Sequence, residues 1–372
     1  MAFRAIRYRK QGLCKKRECT VCSLYENCGG CNNVECLIYH CSRGIKYIGL
    51  TYPTPGCQYR EFCYGKLEVQ PLPLQSNIKA RVSNALQTPK FIPIIKLTEK
   101  ESWFWPDIKI NMIIVKLEDI LTNGDIFNEV KVKGLHDYLG YDGHIMLSTI
   151  MPDEMIDDIE PEQYTKMIED LRPDSYMIMD DYTYIDEPRL MSWRHIFRMI
   201  ERARKLLKFE PPGHPIGLIK GGSVEQIGWC IEALLEMDIK NYAMPCRGIP
   251  PLLLRRFLEP VIDKLGDPNY TVILYGKTEL RSSESPYSKT RTFEYFSYAS
   301  MTWYIHAKRA MVYLNGEPYQ LPQDYSYYCE CPYCQARDPF DLIKDKRALA
   351  LHNLAQLTKY YKERREKLWG EG

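Results

Sequence analysis

Between residues 88 and 322, eight short apolar runs alternate with longer amphipathic stretches. The apolar runs are typical of buried strands: FIPIIKL (91–97), INMIIV (110–115), HIMLS (144–148), SYMIMD (175–180), PIGLIK (215–220), NYAM (241–244), YTVILY (270–275) and FEYFSYAS (293–300). Four amphipathic stretches have helical periodicity and start near proline or a capping residue: 161–171, 188–207, 224–237 and 250–265. Eight strands alternating with helices predict an α/β fold, a (β/α)8 TIM barrel. No glycine-rich dinucleotide fingerprint follows the first strand, which counts against a Rossmann sheet.

The chain divides by composition into four parts. Residues 1–66 lack helical periodicity and are rich in cysteine, glycine and proline, so we expect a Cys-rich basic metal-binding module there. Residues 67–87 are predicted to be a linker, because two prolines disfavour regular structure. The barrel is expected over 88–322, and 323–372 hold a second Cys cluster and a basic helix predicted over 341–368.

The fourteen cysteines are bunched rather than distributed. Nine lie in the first 63 residues, and three more fall between positions 329 and 334. Bunching argues against a secreted disulfide framework. No apolar run approaches the roughly 18 residues that a membrane span needs, and the start is not a signal peptide. We therefore expect a cytoplasmic protein, without membrane partners, whose cysteines hold metal.

The C-terminal cluster has the spacing of a zinc site. Cys329, Cys331 and Cys334 form a knuckle, and His352 follows within a helical stretch. Three thiolates and one imidazole complete a tetrahedral shell with no open position, so a structural Zn²⁺ is predicted. The alternative is a set of reduced thiols beside a surface histidine.

The N-terminal cluster contains two Cys-x2-Cys pairs, Cys19 with Cys22 and Cys28 with Cys31. Four thiolates could hold Zn²⁺ or an iron–sulfur cluster, and the pattern does not decide between them. Oxidation into disulfides is the alternative. A further hypothesis is an iron–sulfur or redox protein, in which the nine N-terminal cysteines would carry the activity.

Charge is distributed unevenly along a chain whose net charge is only +2. Residues 1–66 carry eleven basic and four acidic side chains, whereas 116–190 carry nineteen acidic and six basic ones. The N-terminal segment and the tail TKYYKERREKLW (358–369) interleave basic with aromatic residues, which suits contact with a nucleic acid. Solvent-exposed surfaces of opposite charge that bind no nucleic acid would give the same pattern.

Several of these segments together resemble the queuine and archaeosine tRNA-guanine transglycosylases and their DNA-modifying relatives. TPKFIPI (88–94) resembles the first barrel strand of that family, and GLHDYLGYDGHIML (134–147) resembles the approach to the strand with its catalytic acid. SYMIMDDYT (175–183) resembles the strand that ends in its base-recognising Asp, and IGLIKGGSVEQI (216–227) resembles its substrate loop. The cysteine–histidine closure resembles the zinc site of the family. The segments occur in the family's order.

The resemblance implies an enzyme that exchanges guanine in DNA or tRNA for a 7-deazaguanine base. In that chemistry an Asp attacks the sugar C1′ carbon, a second Asp serves as acid/base, and a third recognises the base. The base would leave its stack to reach the barrel mouth. By position, Asp180 matches the base-recognising Asp, Asp181 follows it, and Gly221 and Gly222 match the substrate loop.

The chain departs from the family at the two reacting carboxylates. Ser148 stands where the family has the acid after the third strand, and Asp153 is a candidate out of register. FSYASMTW (296–303) is closest to the DNA-acting branch and places Ala299 at the nucleophile position. Three explanations follow: a shifted register with Asp153 or Glu294 acting, an inactivated form, or a catalytically silent member that binds nucleic acid, as a homodimer or beside an active subunit.

Overall fold

The computed structural model describes residues 78–82, 84–183, 189–280, 283–286, 295–320, 329, 331–334 and 339–369. The Cys-rich module predicted for 1–66, with its ligands Cys19, Cys22, Cys28 and Cys31, lies outside these residues, as does the first part of the predicted linker. No helix in the described part of the chain is long and apolar enough to cross a membrane.

Eight parallel strands form one sheet that closes on itself. They are β1 (Phe91–Pro93), β2 (Met112–Lys116), β3 (His144–Ser148), β4 (Ser175–Met177), β5 (His214–Leu218), β6 (Asn241–Pro245), β7 (Thr271–Tyr275) and β8 (Phe296–Ser300). Each strand pairs with its sequence neighbour from β2 to β8, and β1 pairs with β8. A parallel bridge between Ile94 and Ile114 joins β1 to β2. The eight strands expected from the apolar runs are confirmed, as is the barrel-like α/β architecture.

Helices cover the outside of the sheet. They are α1 (Leu117–Leu121), α2 (Gly124–Leu139), α3 (Asp153–Ile156), α4 (Pro161–Leu171), α5 (Arg189–Lys208), α6 (Val224–Glu236), α7 (Pro251–Leu265) and α8 (Thr302–Lys308), with a short 3-10 helix at Lys100–Ser102. The strands are buried on both faces, since the helices lie on one side and the packed barrel interior on the other. The four helices predicted from periodicity are α4 to α7.

Among the described helices that were not predicted, α2 is the longest, and a glycine interrupts its pattern. Within α2, Gly134 has φ 79°, a left-handed value that favours glycine. A Cβ atom at this position would lie 2.9 Å from Nε of Arg172. Arg172 in turn donates a 3.0 Å hydrogen bond to the carbonyl of Val132. The kink therefore makes room for an arginine that ties α2 to the end of α4.

The C-terminal part begins with an antiparallel hairpin, β9 (Met311–Leu314) and β10 (Glu317–Gln320), and continues with α9 (Pro339–Lys344) and α10 (Lys346–Trp369). The single basic helix predicted over 341–368 is thus two helices. The break is at Asp345, whose carboxylate accepts a 2.9 Å hydrogen bond from the amide of Ala348 and caps α10. Tyr361 of α10 stacks on Phe91 and Tyr298, at 5.7 and 5.9 Å between ring centroids, so this helix packs on β1 and β8.

The segment just before β1 is fixed to the opposite, N-terminal end of the strands. Asn241 accepts a 2.7 Å hydrogen bond from the amide of Leu86 and donates one to the carbonyl of Asn84. Thr271 donates a further 2.7 Å bond to the carbonyl of Leu86. The last residues of the predicted linker therefore pack against the barrel.

Candidate functional site

The sequence-predicted residues meet at the carboxyl ends of the strands, the face on which barrel enzymes carry their sites. Ser148 ends β3 and Ala299 lies within β8, while Asp180 and Asp181 follow β4 by three and four residues. Gly221 and Gly222 follow β5 and lead into α6. The ends of the three neighbouring strands β3, β4 and β5, together with β8, thus place these six residues at one end of the barrel.

Asp180 is buried, with 5% of its surface exposed, and is paired with Lys220 from the end of β5. The ammonium Nζ of Lys220 lies 2.6 Å from Oδ1 of Asp180 and also donates to the carbonyl of Asp181. Burial raises the pKa of Asp180 above its usual value, and the charge of Lys220 opposes that shift. Oδ2 of Asp180 accepts no hydrogen bond from any described residue. Among the described residues, Oδ2 of Asp180 and one ammonium proton of Lys220 therefore have no hydrogen-bond partner.

Asp181 faces away from that pair and is fully buried. Its carboxylate binds the guanidinium of Arg198 on α5 through both oxygens, with Nη2 2.7 Å from Oδ1. The hydrogen bond to Asp181 raises the pKa of Arg198. Arg198 also contacts Asp157 at 2.9 Å and lies over the ring of Tyr182. Asp181 thus fixes the chain direction after β4 and so positions Asp180.

The glycine pair after β5 is held by Gln226 of α6. The amide of Gly222 donates a 2.7 Å hydrogen bond to the side-chain oxygen of Gln226, which also accepts one from Ser192. A Cβ atom at Gly221 would lie 2.9 Å from Cβ of Gln226 and 3.0 Å from the amide of Ile227. Gly221 is therefore required for the loop to approach α6 this closely.

Beside the Asp180–Lys220 pair is a cavity of about 390 Å³ between the ends of β5 and β6. Its wall combines apolar side chains, two glycines and two cations: Thr183, Ile219, Lys220, Gly221, Ile227, Met244, Pro245, Arg247, Gly248, Ile249 and Phe257. The volume lies in the range of small-molecule sites, about 300–1,000 Å³. This cavity was not predicted from the sequence, because it depends on how two neighbouring strands end.

Tyr275 at the end of β7 connects the two positions that lack a carboxylate. It is the register partner of Ala299 on β8, and its hydroxyl lies 3.4 Å from Oγ of Ser148 across the barrel. Ser148 and Ala299 are fully buried. Burial raises the pKa of Tyr275, so its phenol stays protonated near neutral pH.

A carboxylate that sequence reasoning missed lies one strand away from Ser148. Lys116, the last residue of β2, is the register partner of Ser148, and its ammonium pairs with Glu118. The side chain of Glu118 is 25% exposed. The one sequence signal for it is that Glu118 follows the predicted strand 110–115 by three residues. Asp153, the out-of-register candidate, begins α3, and its side chain lies outside the described part of the structure.

The C-terminal cysteines and the histidine converge as predicted. The sulfur atoms of Cys329, Cys331 and Cys334 and Nδ1 of His352 all lie within 4.8 Å of one another. Nδ1 of His352 is 3.7, 3.2 and 3.3 Å from the three sulfurs in that order. A hydrogen bond from Cys334 and the nearby His352 lower the pKa of the Cys331 thiol. These four residues could hold a metal ion such as zinc.

Neighbouring groups orient these donor atoms toward one another. Nε2 of His352 lies 3.1 Å from the carbonyl of Tyr313, which fixes the tautomer with the proton on Nε2 and leaves the Nδ1 lone pair directed at the sulfurs. Gln356 donates a 3.3 Å hydrogen bond to Sγ of Cys329. The adjacent Asn353 bonds the amide of Tyr313 and the carbonyl of Trp303, so the cluster is joined to the barrel through α8 and β9.

No protein-family model matches the chain, and no curated protein is significantly similar to it in sequence.

Proposed function

We propose that this chain is a guanine transglycosylase-like barrel that takes part in 7-deazaguanine modification of nucleic acid. The observation that carries the proposal is the pairing of Asp180 with Lys220 beside a cavity of about 390 Å³ at the carboxyl ends of the strands. The similarity of SYMIMDDYT and IGLIKGGSVEQI to the segments of that family supports it.

The pair suits the edge of guanine better than that of adenine. Guanine presents the acceptor O6 beside two donors, N1–H and the N2 amino group, whereas adenine presents an amino donor beside an acceptor nitrogen. Lys220 has a proton left for O6, and Oδ2 of ionised Asp180 can accept from N1–H and N2. A 7-deazaguanine has the same edge, so both the base that leaves and the base that enters could bind here.

Exchange needs a carboxylate besides the one that recognises the base. In the family's chemistry a carboxylate oxygen bonds to C1′ as the C1′–N9 bond breaks, and the departing base keeps the electron pair and is protonated. The incoming base then displaces the carboxylate and gives up its N9 proton. We assign the attacking carboxylate to Glu118, because it is partly exposed at the barrel mouth next to the register partner of Ser148.

The test is incorporation of labelled guanine into tRNA and, separately, into duplex DNA by the purified full-length chain. We expect incorporation into one polymer, and a loss of about 10²-fold or more in Asp180→Asn and in Glu118→Gln. Glu129→Gln is the matched control, because Glu129 also pairs with a lysine but is 57% exposed on α2. Activity that survives Glu118→Gln would remove Glu118 from the mechanism.

A second candidate function is a catalytically silent subunit that binds guanine in nucleic acid and supports an active partner or a second copy of itself. The observation that favours it is Tyr275, whose ring spans from the Ala299 position to Ser148, between the two sites where the family has carboxylates. No incorporation into either polymer, with retained binding of one, would select this function.

Zn²⁺ is the ion we propose for Cys329, Cys331, Cys334 and His352, since four such donors leave no position for a substrate. Bound there, the ion would join the segment 329–334 to α10 and play no part in the reaction. The basic N-terminal module, with Zn²⁺ or an iron–sulfur cluster, would add contacts to the phosphate backbone of the nucleic acid. We place this work in the cytoplasm, where nucleic acid and reduced thiols coexist.

A further inference from the structure

The segment between β3 and α4 covers the buried carboxyl group of Asp180. We call residues 150–159 the strap; it contains the single turn α3. Asp180 lies in the wall of a cavity of only about 10 Å³, to which the strap contributes Met151, Ile156 and Ile159. This space holds about one water molecule. A base therefore cannot enter beside Asp180 on this side while the strap stays in place.

The Asp180–Lys220 pair separates this small cavity from the larger one of about 390 Å³. Lys220 lines the larger cavity whereas Asp180 does not, and Asp180 lines the smaller cavity whereas Lys220 does not. A ligand in the larger cavity thus meets the ammonium group of the pair. It reaches the carboxylate only if the smaller space widens, and the strap is the wall of that space that belongs to no strand.

The side chain of Asp157 ties the strap to the segment after β4 and to α5. Its Oδ1 lies 2.9 Å from Nη1 of Arg198, and its Oδ2 accepts a 2.6 Å hydrogen bond from the hydroxyl of Tyr182. The side chains of Asp157 and Arg198 are 49% and 37% exposed. An ion pair as exposed as this one is weak, so it can break and form again at little cost.

The main chain of the strap is supported by a second arginine of α5. Nη2 of Arg202 donates a 3.0 Å hydrogen bond to the carbonyl of Ile156 and another to that of Ile159. Nη1 of the same guanidinium lies 3.5 Å from the carbonyl of Asp180. The strap and the residue that it covers are therefore held by one side chain, and movement of the strap changes the surroundings of Asp180 directly.

We propose that the strap controls access to Asp180: it covers the carboxylate while Asp157 is bound to Arg198 and Tyr182, and it moves away when a base enters. This inference rests on the proposed base-binding function and adds the regulation of that site. If only molecules with an open strap bind the base, the apparent dissociation constant is the intrinsic one divided by the open fraction. Loss of the Asp157 contacts therefore tightens binding, whereas loss of a residue that only supports the site would weaken it.

Titration calorimetry with guanosine on the full-length chain tests this sign. Asp157→Ala removes the ion pair and the acceptor together, and Tyr182→Phe removes only the hydroxyl donor. We expect guanosine to bind about fivefold more tightly to Asp157→Ala than to the unmodified chain, and about twofold more tightly to Tyr182→Phe. Asp158→Ala is the matched control, because Asp158 is an exposed acid of the same strap with no ion pair or hydrogen bond to any described residue. It should leave the affinity unchanged.

Proteolysis measures the opening of the strap without a ligand. Thermolysin cleaves before apolar residues, and Ile156 and Ile159 are buried, so a cut there requires the strap to leave its place. When opening and closing are fast relative to cleavage, the rate of cleavage follows the open fraction. We expect the cut within 155–159, located by mass spectrometry, to be about fivefold faster in Asp157→Ala and unchanged in Asp158→Ala.

The two measurements separate this inference from the proposed function. Tighter binding and faster cleavage in Asp157→Ala, but not in Asp158→Ala, support control by the strap. Equal or weaker binding of guanosine to Asp157→Ala overturns that control and leaves the base site standing. If guanosine binds to none of the forms, the base site is overturned, whereas faster cleavage in Asp157→Ala alone would still support a strap held by Asp157. Equal cleavage in both variants overturns the role of Asp157.

Discussion

Removing Lys220 would show how strongly the buried carboxylate at the barrel mouth depends on its partner. In Lys220→Met the side-chain length is kept, the charge is lost, and Asp180 stays 5% exposed with no described cation in contact. Breaking a buried pair from one side costs about 3–5 kcal/mol, because the other charge remains in a poorly solvated place. We expect a loss of about 3 kcal/mol in the free energy of unfolding, since Oδ1 of Asp180 keeps its hydrogen bond from the amide of Asp181.

Urea unfolding followed by circular dichroism measures this loss, and its pH dependence identifies the cause. Burial holds the folded pKa of Asp180 above its unfolded value of 3.8, so the folded state binds the extra proton. The loss in Lys220→Met should therefore grow as the pH rises above about 4. Asp180→Asn combined with Lys220→Met should recover much of the stability, because no buried charge remains.

The matched control is Lys264→Met, which breaks a pair with Glu232 of the same 2.6 Å length but with both side chains about a third or more exposed. That change should cost no more than about 1 kcal/mol. A loss in Lys220→Met equal to that of the control, or a double variant no more stable than the single one, would refute the argument that Asp180 is a buried charge held by Lys220.

Three further predictions concern other parts of the molecule. Cys334→Ser should lower the metal content of the purified chain by about one ion, measured by plasma mass spectrometry, and an unchanged content would place the metal elsewhere. Burial lowers the pKa of His144 below 6.5, against the charge of Asp174, so the free energy of unfolding should decrease as the pH falls below 6.5, and His144→Gln should flatten that dependence. Phe257→Ala, in the fully buried wall of the cavity, should cost about 3–5 kcal/mol in urea unfolding, and a loss below about 1 kcal/mol would show that the cavity wall collapses freely.

The barrel could be predicted because its strands are buried on both faces and therefore form continuous apolar runs between helical patterns. The periodicity of 161–171 matches α4 residue for residue, since a capping box at Glu160 and Gln163 starts that helix where the pattern starts. No helix was predicted over α2, because the kink at Gly134 interrupts the helical periodicity. The reason for the kink, the contact with Arg172, is visible only in the structure. A single-residue cap at Asp345 similarly divided one predicted helix into two.

The candidate site could be predicted only where one residue type at one strand end carries the chemistry. Asp180 follows an apolar run, and Cys329, Cys331, Cys334 and His352 have the spacing of metal ligands, so the sequence singled out both sets of residues and the structure brings the latter four together. Lys220, Glu118 and Arg247 were not, because each gains its meaning from a residue on another strand: an ion pair, a register partner, and a cavity wall. Sequence patterns describe neighbours along the chain, whereas these residues meet from strand ends that are 27 to 40 residues apart.

The stacking of Tyr361 on Phe91 and Tyr298 bears on how the protein folds during its synthesis on the ribosome. β1 pairs with a strand that is synthesised about 200 residues later, and α10 covers both only after a further 60 residues. At about 5–20 residues per second, roughly 14–54 s separate Phe91 from Tyr361. During that interval β1 cannot pair with β8. We therefore expect the barrel to close, and the loops at the carboxyl ends of its strands to come together, only near the end of synthesis.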